Sequence, residues 1–187
     1  MAKIEYGTLS DNELVEYIKK KDSTSEKAFA EVYSRYSQRV YAYALRITGS
    51  RTDAQDCFQE VFIRFYEKIS QKKADGSLIS YLLTIARNYY LSKKRDEKLV
   101  LKIDESEIFT PTFEDNSIEQ KELERILPEA LMKLKYHERE LIILRVYEGL
   151  SYNEIEKITG VHNGNLLRNR FHRSREKLRN ILSVYFK

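Results

Sequence analysis

The chain has 187 residues, of which 42% are hydrophobic and 33% are charged, and its formal net charge is +4 at pH 7. This composition predicts a folded protein with a charged surface, and no apolar run is long enough to span a membrane. A single cysteine argues against a disulfide framework and against an all-cysteine metal site. The first residues do not resemble a signal peptide, so we expect a cytoplasmic protein.

Helix signals are frequent along the chain. Six glycines, two prolines and no tryptophan, together with many Leu, Lys, Glu and Arg residues, favour an all-α fold. Four hydroxyl residues are each followed three positions later by Glu or Gln, which is the pattern of a capping box. The pairs are Ser10 with Glu13, Ser23 with Glu26, Thr52 with Gln55, and Ser151 with Glu154.

The first half of the chain predicts three long helices. An apolar stripe runs from Phe29 to Ile47, and Gly49 ends that helix. A second helix places Phe58, Val61, Phe62, Phe65 and Ile69 on one face and carboxylates on the other. After a loop at residues 71–76, a third helix has Leu78, Leu82, Ile85, Ala86 and Tyr89 inside and runs into Lys93, Lys94 and Arg95.

An acidic segment with Pro111 at its centre interrupts the helical pattern at residues 98–120, which predicts a flexible linker. Helical periodicity resumes at Leu123. The simplest organisation is therefore two small helical domains, at residues 1–97 and 121–187, joined by this linker.

The second domain has the plan of a helix-turn-helix. Ser151 caps a short helix, Gly160 ends it, and a longer helix with Leu166, Leu167 and Phe171 follows. That longer helix is rich in arginine, which neutralises phosphates and grips guanine edges, while Asn165 and Asn169 could read adenine or contact phosphate. A solvated basic face is the plainer alternative, and the cap, the turn and the apolar spacing argue against it.

Two further surfaces allow more than one interpretation. Arg87, Asn88 and the nearby lysines, interleaved with Tyr81 and Tyr90, suit a single nucleic-acid strand, although both tyrosines could equally be core residues. The carboxylates of the second helix are either a solvated face or a docking surface for a basic partner. The sequence shows no catalytic constellation, so we expect no enzyme activity, no metal and no cofactor.

Five stretches resemble conserved parts of the sigma factors of bacterial RNA polymerase. They are Ala28–Leu45, Asp53–Phe62, Tyr81–Asn88, Glu148–Ile155 and Arg170–Leu178. Their order is that of sigma factors, the resemblance covers nearly the whole chain, and the short length is similar to the extracytoplasmic-function (ECF) subgroup.

This resemblance implies a role for each surface. Core RNA polymerase, through its clamp helices and flap, would be bound in part by Asp53, Asp56, Gln59 and Glu60. The −10 promoter element would be captured and melted by Lys72, Lys73, Asp75, Tyr81, Arg87, Asn88, Lys94 and Arg95. The −35 element would be bound by His162, Asn163, Asn165, Arg168, Asn169, Arg170 and Arg173. The resemblance also implies an anti-sigma factor as a partner.

The turn and recognition helix depart from the family. The segment Gly160–Arg170 is one residue longer than the usual spacing, so the extra residue lies either in the turn or as a bulge in the helix. Tyr81 and Ser92 also stand where the family commonly has tryptophan and aspartate. The competing interpretation is a free-standing helix-turn-helix regulator, which would need neither the acidic face nor the first domain.

Overall fold

A computed structural model describes residues 4–69, 77–100 and 118–185, with side chains for 4–69, 77–97 and 125–185. The regular elements in these ranges are helices. They are α1 Asp11–Lys19, α2 Ser25–Thr48, α3 Arg51–Lys68, α4 Leu78–Val100, α5 Ile118–Met132, α6 Tyr136–Ile142, α7 Tyr152–Thr159 and α8 Gly164–Leu182. A 3₁₀ turn at Tyr6–Thr8 precedes α1, and a π turn at Ile143–Tyr147 extends α6. The predicted loop at residues 71–76 and most of the acidic segment lie outside the described residues.

Two of the four predicted capping boxes are confirmed, and two are wrong. Ser10 and Ser151 each accept the N3 backbone N–H while the N3 glutamate reaches back. At α3, however, the N-cap is Ser50, whose hydroxyl accepts from the Asp53 N–H at 3.3 Å. Gly49 adopts a left-handed conformation, which reverses the chain within one residue and places Ser50, not Thr52, at the helix start.

The start of α2 also differs from the prediction at Ser23. The N-cap is Thr24, and its side chain makes no capping hydrogen bond. Instead, the Asp22 carboxylate accepts hydrogen bonds from both the backbone N–H and the hydroxyl of Thr24. Aspartate forms such local turns more readily than serine. The turn at Asp22 therefore takes the place of the capping box predicted for Ser23 with Glu26.

The N-terminal unit, α1 to α4, packs around buried side chains of all four helices. Leu14 and Ile18 of α1, Tyr43 and Ile47 of α2 and Phe65 of α3 are fully buried. Fully burying a side chain of this size stabilises the fold by about 1.5–3 kcal/mol. On α4 the inward row is Leu78, Leu82, Ala86 and Tyr90, spaced by four residues. Tyr90 therefore takes the inward position predicted for Tyr89, which is only partly buried.

The C-terminal unit, α5 to α8, is confirmed as a helix-turn-helix domain. Ile155 and Ile158 of α7 and Leu167 of α8 are buried together. A second cluster of Leu131, Leu134 and Ile142 holds the other end of α8 against α5 and α6. Among the described residues, no helix has both the length and the apolar character needed to cross a membrane.

The two helical units pack directly against each other. Their apolar side chains form one continuous buried cluster, to which the C-terminal unit contributes Leu141, Ile143 and Leu144. Tyr90 of α4 stacks on Tyr136 of α6 with ring centroids 5.3 Å apart. A helix surface of α7 also lies against α4. The sequence predicted the two units but not this contact between them.

Candidate nucleic-acid interface

The turn before α8 decides where the additional residue lies. Gly160 ends α7 with φ of +73°, and Asn163 is the N-cap of α8, with its side-chain oxygen accepting from the Leu166 N–H at 2.9 Å. From Gly164 to Leu182 the helix is uninterrupted. Helix α8 therefore contains no bulge, which leaves the turn as the place for the additional residue that the resemblance implies.

Because α8 begins at Gly164, the side chains on its outward face can be identified. Leu167 and Ser174 are buried, and each residue advances the helix by about 100°. Asn165, Asn169 and His172 consequently lie opposite Leu167, and all three are exposed. His172 was not predicted as a contact, because the uncertain register hid its alignment with the two asparagines.

The predicted −35 side chains are all exposed. They are His162, Asn163, Asn165, Arg168, Asn169, Arg170 and Arg173. The Arg168 guanidinium carbon lies 5.6 Å from the centre of the Tyr152 ring, which also carries Arg145 at 4.9 Å. This stacking holds Arg168 at the junction of α7 and α8. Arg170 lies about 60° from Leu167 around the helix, on its flank.

The predicted strand-binding residues on α4 differ in their environments. Asn88 and Arg95 are exposed. Lys94 is half-buried, and its ammonium donates to Glu97 at 2.8 Å, which raises the pKa of Lys94. Tyr81 is also half-buried, with its ring 6.4 Å from that of Phe65. Lys72, Lys73 and Asp75 lie outside the described residues.

Arg87 points toward the C-terminal unit. Its Nε lies 2.8 Å from the Glu140 Oε1, and the Glu140 side chain is only 3% exposed. The two groups form an ion pair and not an aligned hydrogen bond, since within the described residues the Arg87 Nε has no hydrogen-bond partner. Sequence reasoning missed Glu140, because it reads as one of several charged residues at the start of a short helix.

The acidic face of α3 is partly neutralised within the chain. Lys93 of α4 donates to Asp53 at 2.7 Å and to Asp56 at 3.3 Å. Burial lowers the pKa of Lys93, but the hydrogen bonds to these carboxylates outweigh it and leave the pKa raised. Glu60 pairs with Arg64 at 2.6 Å, and Gln59 is exposed. On this face the three carboxylates are each paired with a lysine or an arginine, and the exposed side chain of Gln59 lies beside them.

Behind that face, the single cysteine of the chain is fully buried. The Cys57 thiol donates to the Ala86 carbonyl at 3.7 Å, and burial raises its pKa to about 12. A thiol with this pKa is almost wholly protonated at neutral pH and reacts slowly. Across the ranges with described side chains, no three or more His, Cys, Asp or Glu residues group as metal ligands.

Comparison with known protein families identifies both helical units. Residues 32–100 match Sigma-70 region 2, and residues 124–178 match Sigma-70, region 4. The chain is 31% identical to the ECF RNA polymerase sigma-E factor of Haemophilus influenzae, over 92% of this chain and 95% of that protein. It belongs to the ECF RNA polymerase sigma factors.

Other sigma factors extend this comparison. The Escherichia coli K12 sigma-E factor is 30% identical over 92% of this chain and 94% of its own length. The SigE factor of Mycolicibacterium smegmatis is 32% identical, but the match spans 65% of that longer protein. In fold, the chain resembles the sigma factor RpoE of Bartonella quintana in its complex with the anti-sigma factor NepR, with a TM-score of 0.71 over 84% of this chain and 23% identity.

Proposed function

We propose that this sigma factor directs core RNA polymerase to its promoters by a division of labour between its two units. Residues 1–97 dock on the polymerase and hold the melted −10 element, residues 98–120 connect the units, and residues 121–187 bind the −35 element. The observation that carries this proposal is that region 2 and region 4 matches lie in order on two helical units. Two weak DNA contacts on one chain reinforce each other through their effective concentration.

The exposed face of α8 supports binding to the −35 element in the major groove. Asn165 and Asn169 have amides of the kind that pair with adenine, and His172 lies beside them on the outward face. Arg168 and Arg173 flank this row, where guanidinium groups reach either a guanine edge or a phosphate. His162, Asn163 and Arg170 lie nearer the turn or the flank and suit backbone contacts.

The exposed part of α4 supports binding to the −10 element. Asn88 and Arg95 are open to solvent, and Tyr81, Lys94 and Arg87 line the same helix. We assign base capture to Lys72, Lys73 and Asp75 by resemblance alone, as they lie outside the described residues. Flipping a base costs a few kcal/mol of unstacking, which phosphate contacts and a fitted pocket must offset.

The α3 face formed by Asp53, Asp56, Gln59 and Glu60 is the proposed docking surface for the clamp helices of core polymerase, with the C-terminal unit reaching the flap. Gln59 is exposed beside the paired carboxylates. We also infer that an anti-sigma factor restrains the protein, as in the solved complex of the related RpoE with NepR. The proposed place of action is the cytoplasm, where polymerase and promoter meet, and the role requires neither catalysis nor a cofactor.

Transcription in vitro with core polymerase and a promoter library tests this function. We expect promoter-dependent initiation only when the protein is added. Asp56→Arg combined with Glu60→Arg should abolish initiation and core binding, because both charges at the docking face are reversed. Glu16→Arg, which reverses an exposed charge on α1, is the matched control and should leave both unchanged. Initiation at no promoter would refute the proposal, and unchanged core binding by the double variant would refute the docking face.

A further inference from the structure

Two arginines lie over one tyrosine ring in the C-terminal unit. Tyr152 is the first residue of α7, directly after the Ser151 cap, and its ring is partly buried against the hydrophobic core. The guanidinium carbons of Arg145 and Arg168 lie 4.9 Å and 5.6 Å from the centre of this ring. These three side chains, the Tyr152 stack, join the π turn after α6 to the start of α7 and to α8.

The two arginines of the Tyr152 stack are held differently. Arg145 is partly buried, and its Nη1 donates to the Leu150 carbonyl at 2.7 Å in addition to its contact with the ring. Arg168 is exposed and makes no hydrogen bond or ion pair with another described residue. One end of the stack is therefore anchored to the backbone, whereas the other end is held by the ring and faces solvent.

The ring restrains Arg168 without occupying its hydrogen-bond donors. A cation over an aromatic face is attracted by the negative charge of that face, and this attraction leaves the N–H groups of the guanidinium free. A long side chain that is loose in solution loses rotamer freedom when it binds a partner, which weakens the complex. Arg168 has already lost part of that freedom in the folded protein, before it meets DNA.

The positive charge of the Tyr152 stack is not neutralised within the described part of the chain, where no carboxylate forms an ion pair with either guanidinium. Glu154, two residues after Tyr152, accepts instead from the Ser151 hydroxyl and backbone N–H. Like charges held close together repel each other, and an anion brought against them relieves the repulsion. The stack therefore offers a cation with free donors to an anionic partner such as DNA.

The Tyr152 stack lies at one edge of the proposed −35 reading face. Arg168 lies about 100° from the buried Leu167 around α8, on the flank of the outward side chains Asn165 and Asn169. When a helix lies in the major groove, its outward residues meet base edges and its flanks lie nearer the phosphate strands. On this flank, the Arg168 guanidinium can reach a phosphate or the edge of a neighbouring guanine.

We propose that Tyr152 is a positioning residue for promoter recognition: its ring, itself held by Arg145, keeps the Arg168 guanidinium in the orientation in which it contacts −35 DNA. This inference rests on the proposed function, because Arg168 contacts DNA only if α8 binds the −35 element. Tyr152 makes no DNA contact of its own and acts through Arg168. The sequence predicted Arg168 as a contact but assigned no role to Tyr152 or Arg145.

Nuclear magnetic resonance of the arginine Nε–H groups tests the Tyr152 stack in the free, full-length chain. In the wild type and in Tyr152→Phe, the ring should displace the Arg168 resonance from the position of a solvated arginine. In Tyr152→Leu, which keeps an apolar side chain but has no ring, the resonance should return to that position. Arg179 on the same helix, whose side chain is 79% exposed, is the internal reference. An identical Arg168 resonance in all three proteins would overturn the proposal.

Promoter binding by the protein on core RNA polymerase, at one fixed salt concentration, tests the positioning role. Tyr152→Leu should weaken binding by about two- to fivefold, the size of a cation–π attraction at an exposed site. In an Arg168→Ala background the same substitution should have no further effect, because its contribution runs through Arg168. Tyr152→Phe keeps the ring and should bind as the wild type does.

Two outcomes of this cycle count against a positioning role. Equal losses from Tyr152→Leu in the presence and in the absence of Arg168 would mark Tyr152 as a structural residue and overturn the proposal. Weak binding by a folded Tyr152→Phe would show that the hydroxyl contacts DNA directly, which would also overturn it. If circular dichroism shows that Tyr152→Leu has lost helix, Arg145→Gln takes its place in the cycle, because it leaves the ring but removes the group that holds it.

Tyr17→Leu is the matched control for the loss of a ring. Tyr17 of α1 is also partly buried, and the Lys20 ammonium lies 4.2 Å from its ring centre. We expect this variant to bind the promoter as the wild type does, and promoter binding weakened as much as in Tyr152→Leu would overturn the proposal. If the wild type binds no promoter, the proposed function fails and the positioning role fails with it, while the Arg168 resonance still reports on the stack. If the wild type and Arg168→Ala bind equally well, this inference alone fails.

Discussion

At the scale of single residues, Glu140 stands out because it is an acid buried among groups from three helices. Burial raises its pKa, and this outweighs the Arg87 charge and the hydroxyls of Tyr136 and Tyr43, which act in the opposite direction. Both tyrosines have raised pKa values themselves and remain neutral at ordinary pH. The folded protein therefore binds a proton at Glu140 more tightly than the unfolded chain does.

A pH dependence of stability follows from that shift. Between the ordinary glutamate pKa of 4.5 and the raised folded value, the native state holds more protons, so the Glu140 contribution to the free energy of unfolding falls as pH rises. Urea unfolding of the wild type and of Glu140→Gln at about pH 5 and about pH 7.5 measures it. The free energy of wild type minus that of the variant should be larger at the lower pH. An equal difference at both would contradict the assignment.

Acidic groups with lowered pKa values do not interfere in this range. The Ser151 hydroxyl and backbone N–H hold the pKa of Glu154 below its ordinary value. The stability that Glu154 contributes is present above the ordinary value of 4.5 and is lost as pH falls through its folded pKa. The difference in free energy of unfolding between the wild type and Glu140→Gln near pH 5 therefore reports on Glu140 and not on the capping carboxylates.

At the scale of an element, α8 separates residues that build the helix from residues that are free to contact DNA. Asn163 begins the helix with its own side chain, whereas Asn165, two residues later, is exposed on the outward face. Both are asparagines in one turn of the chain, and the sequence predicted both as DNA contacts. Their different positions relative to the helix start predict different roles.

The two asparagines give a matched pair of substitutions. Asn163→Ala removes the N-cap and should lower the free energy of unfolding by about 1 kcal/mol, within a range of about 0.5–2. Asn165→Ala should leave stability nearly unchanged and weaken binding to the preferred promoter by about 1–3 kcal/mol if it reads a base. Thermal unfolding and promoter binding at one fixed salt concentration measure the two effects. Equal stability losses in both variants would contradict this division.

The sequence predicted the elements better than the exact boundaries of the helices. Apolar spacing identifies α2, α3, α4 and α8, since each buries one stripe of a long helix. Helix starts were harder where two capping residues lie close together, as with Ser50 and Thr52. Which side chains of α8 face outward could be read only from the structure. A four-residue turn and a bulged helix would place the same residues on different faces of the helix.

At the scale of the whole molecule, the two units share one continuous apolar cluster even though a segment of about twenty residues separates them in the chain. The sequence could not predict this packing, since the partners of Glu140 and Glu148 in the N-terminal unit lie 53 to 109 residues away in the chain. Arg87 was correctly placed on α4, but its orientation depends on the second unit. Helix patterns report which face is buried and not which element covers it.

Cooperative unfolding should reveal this shared core. The wild type is expected to unfold in a single thermal transition because the two units share one buried apolar cluster. Glu140→Gln weakens the contacts of Glu140 with Arg87 and Tyr43 of the N-terminal unit. Calorimetry of this variant should therefore resolve two transitions or one broadened transition. Glu138→Gln, which changes a carboxylate paired with Lys177 inside the C-terminal unit, should retain the single transition. Two well-separated transitions in the wild type would show that the units are energetically independent.

Cys57 lies in the middle of this structure, with its thiol beneath the Ala86 carbonyl and its pKa raised to about 12. It is the single cysteine in the 187-residue sequence. Oxidants react with exposed thiolates and hardly at all with a buried, protonated thiol. The folded chain consequently has no exposed thiolate through which an oxidant could modify it at cysteine.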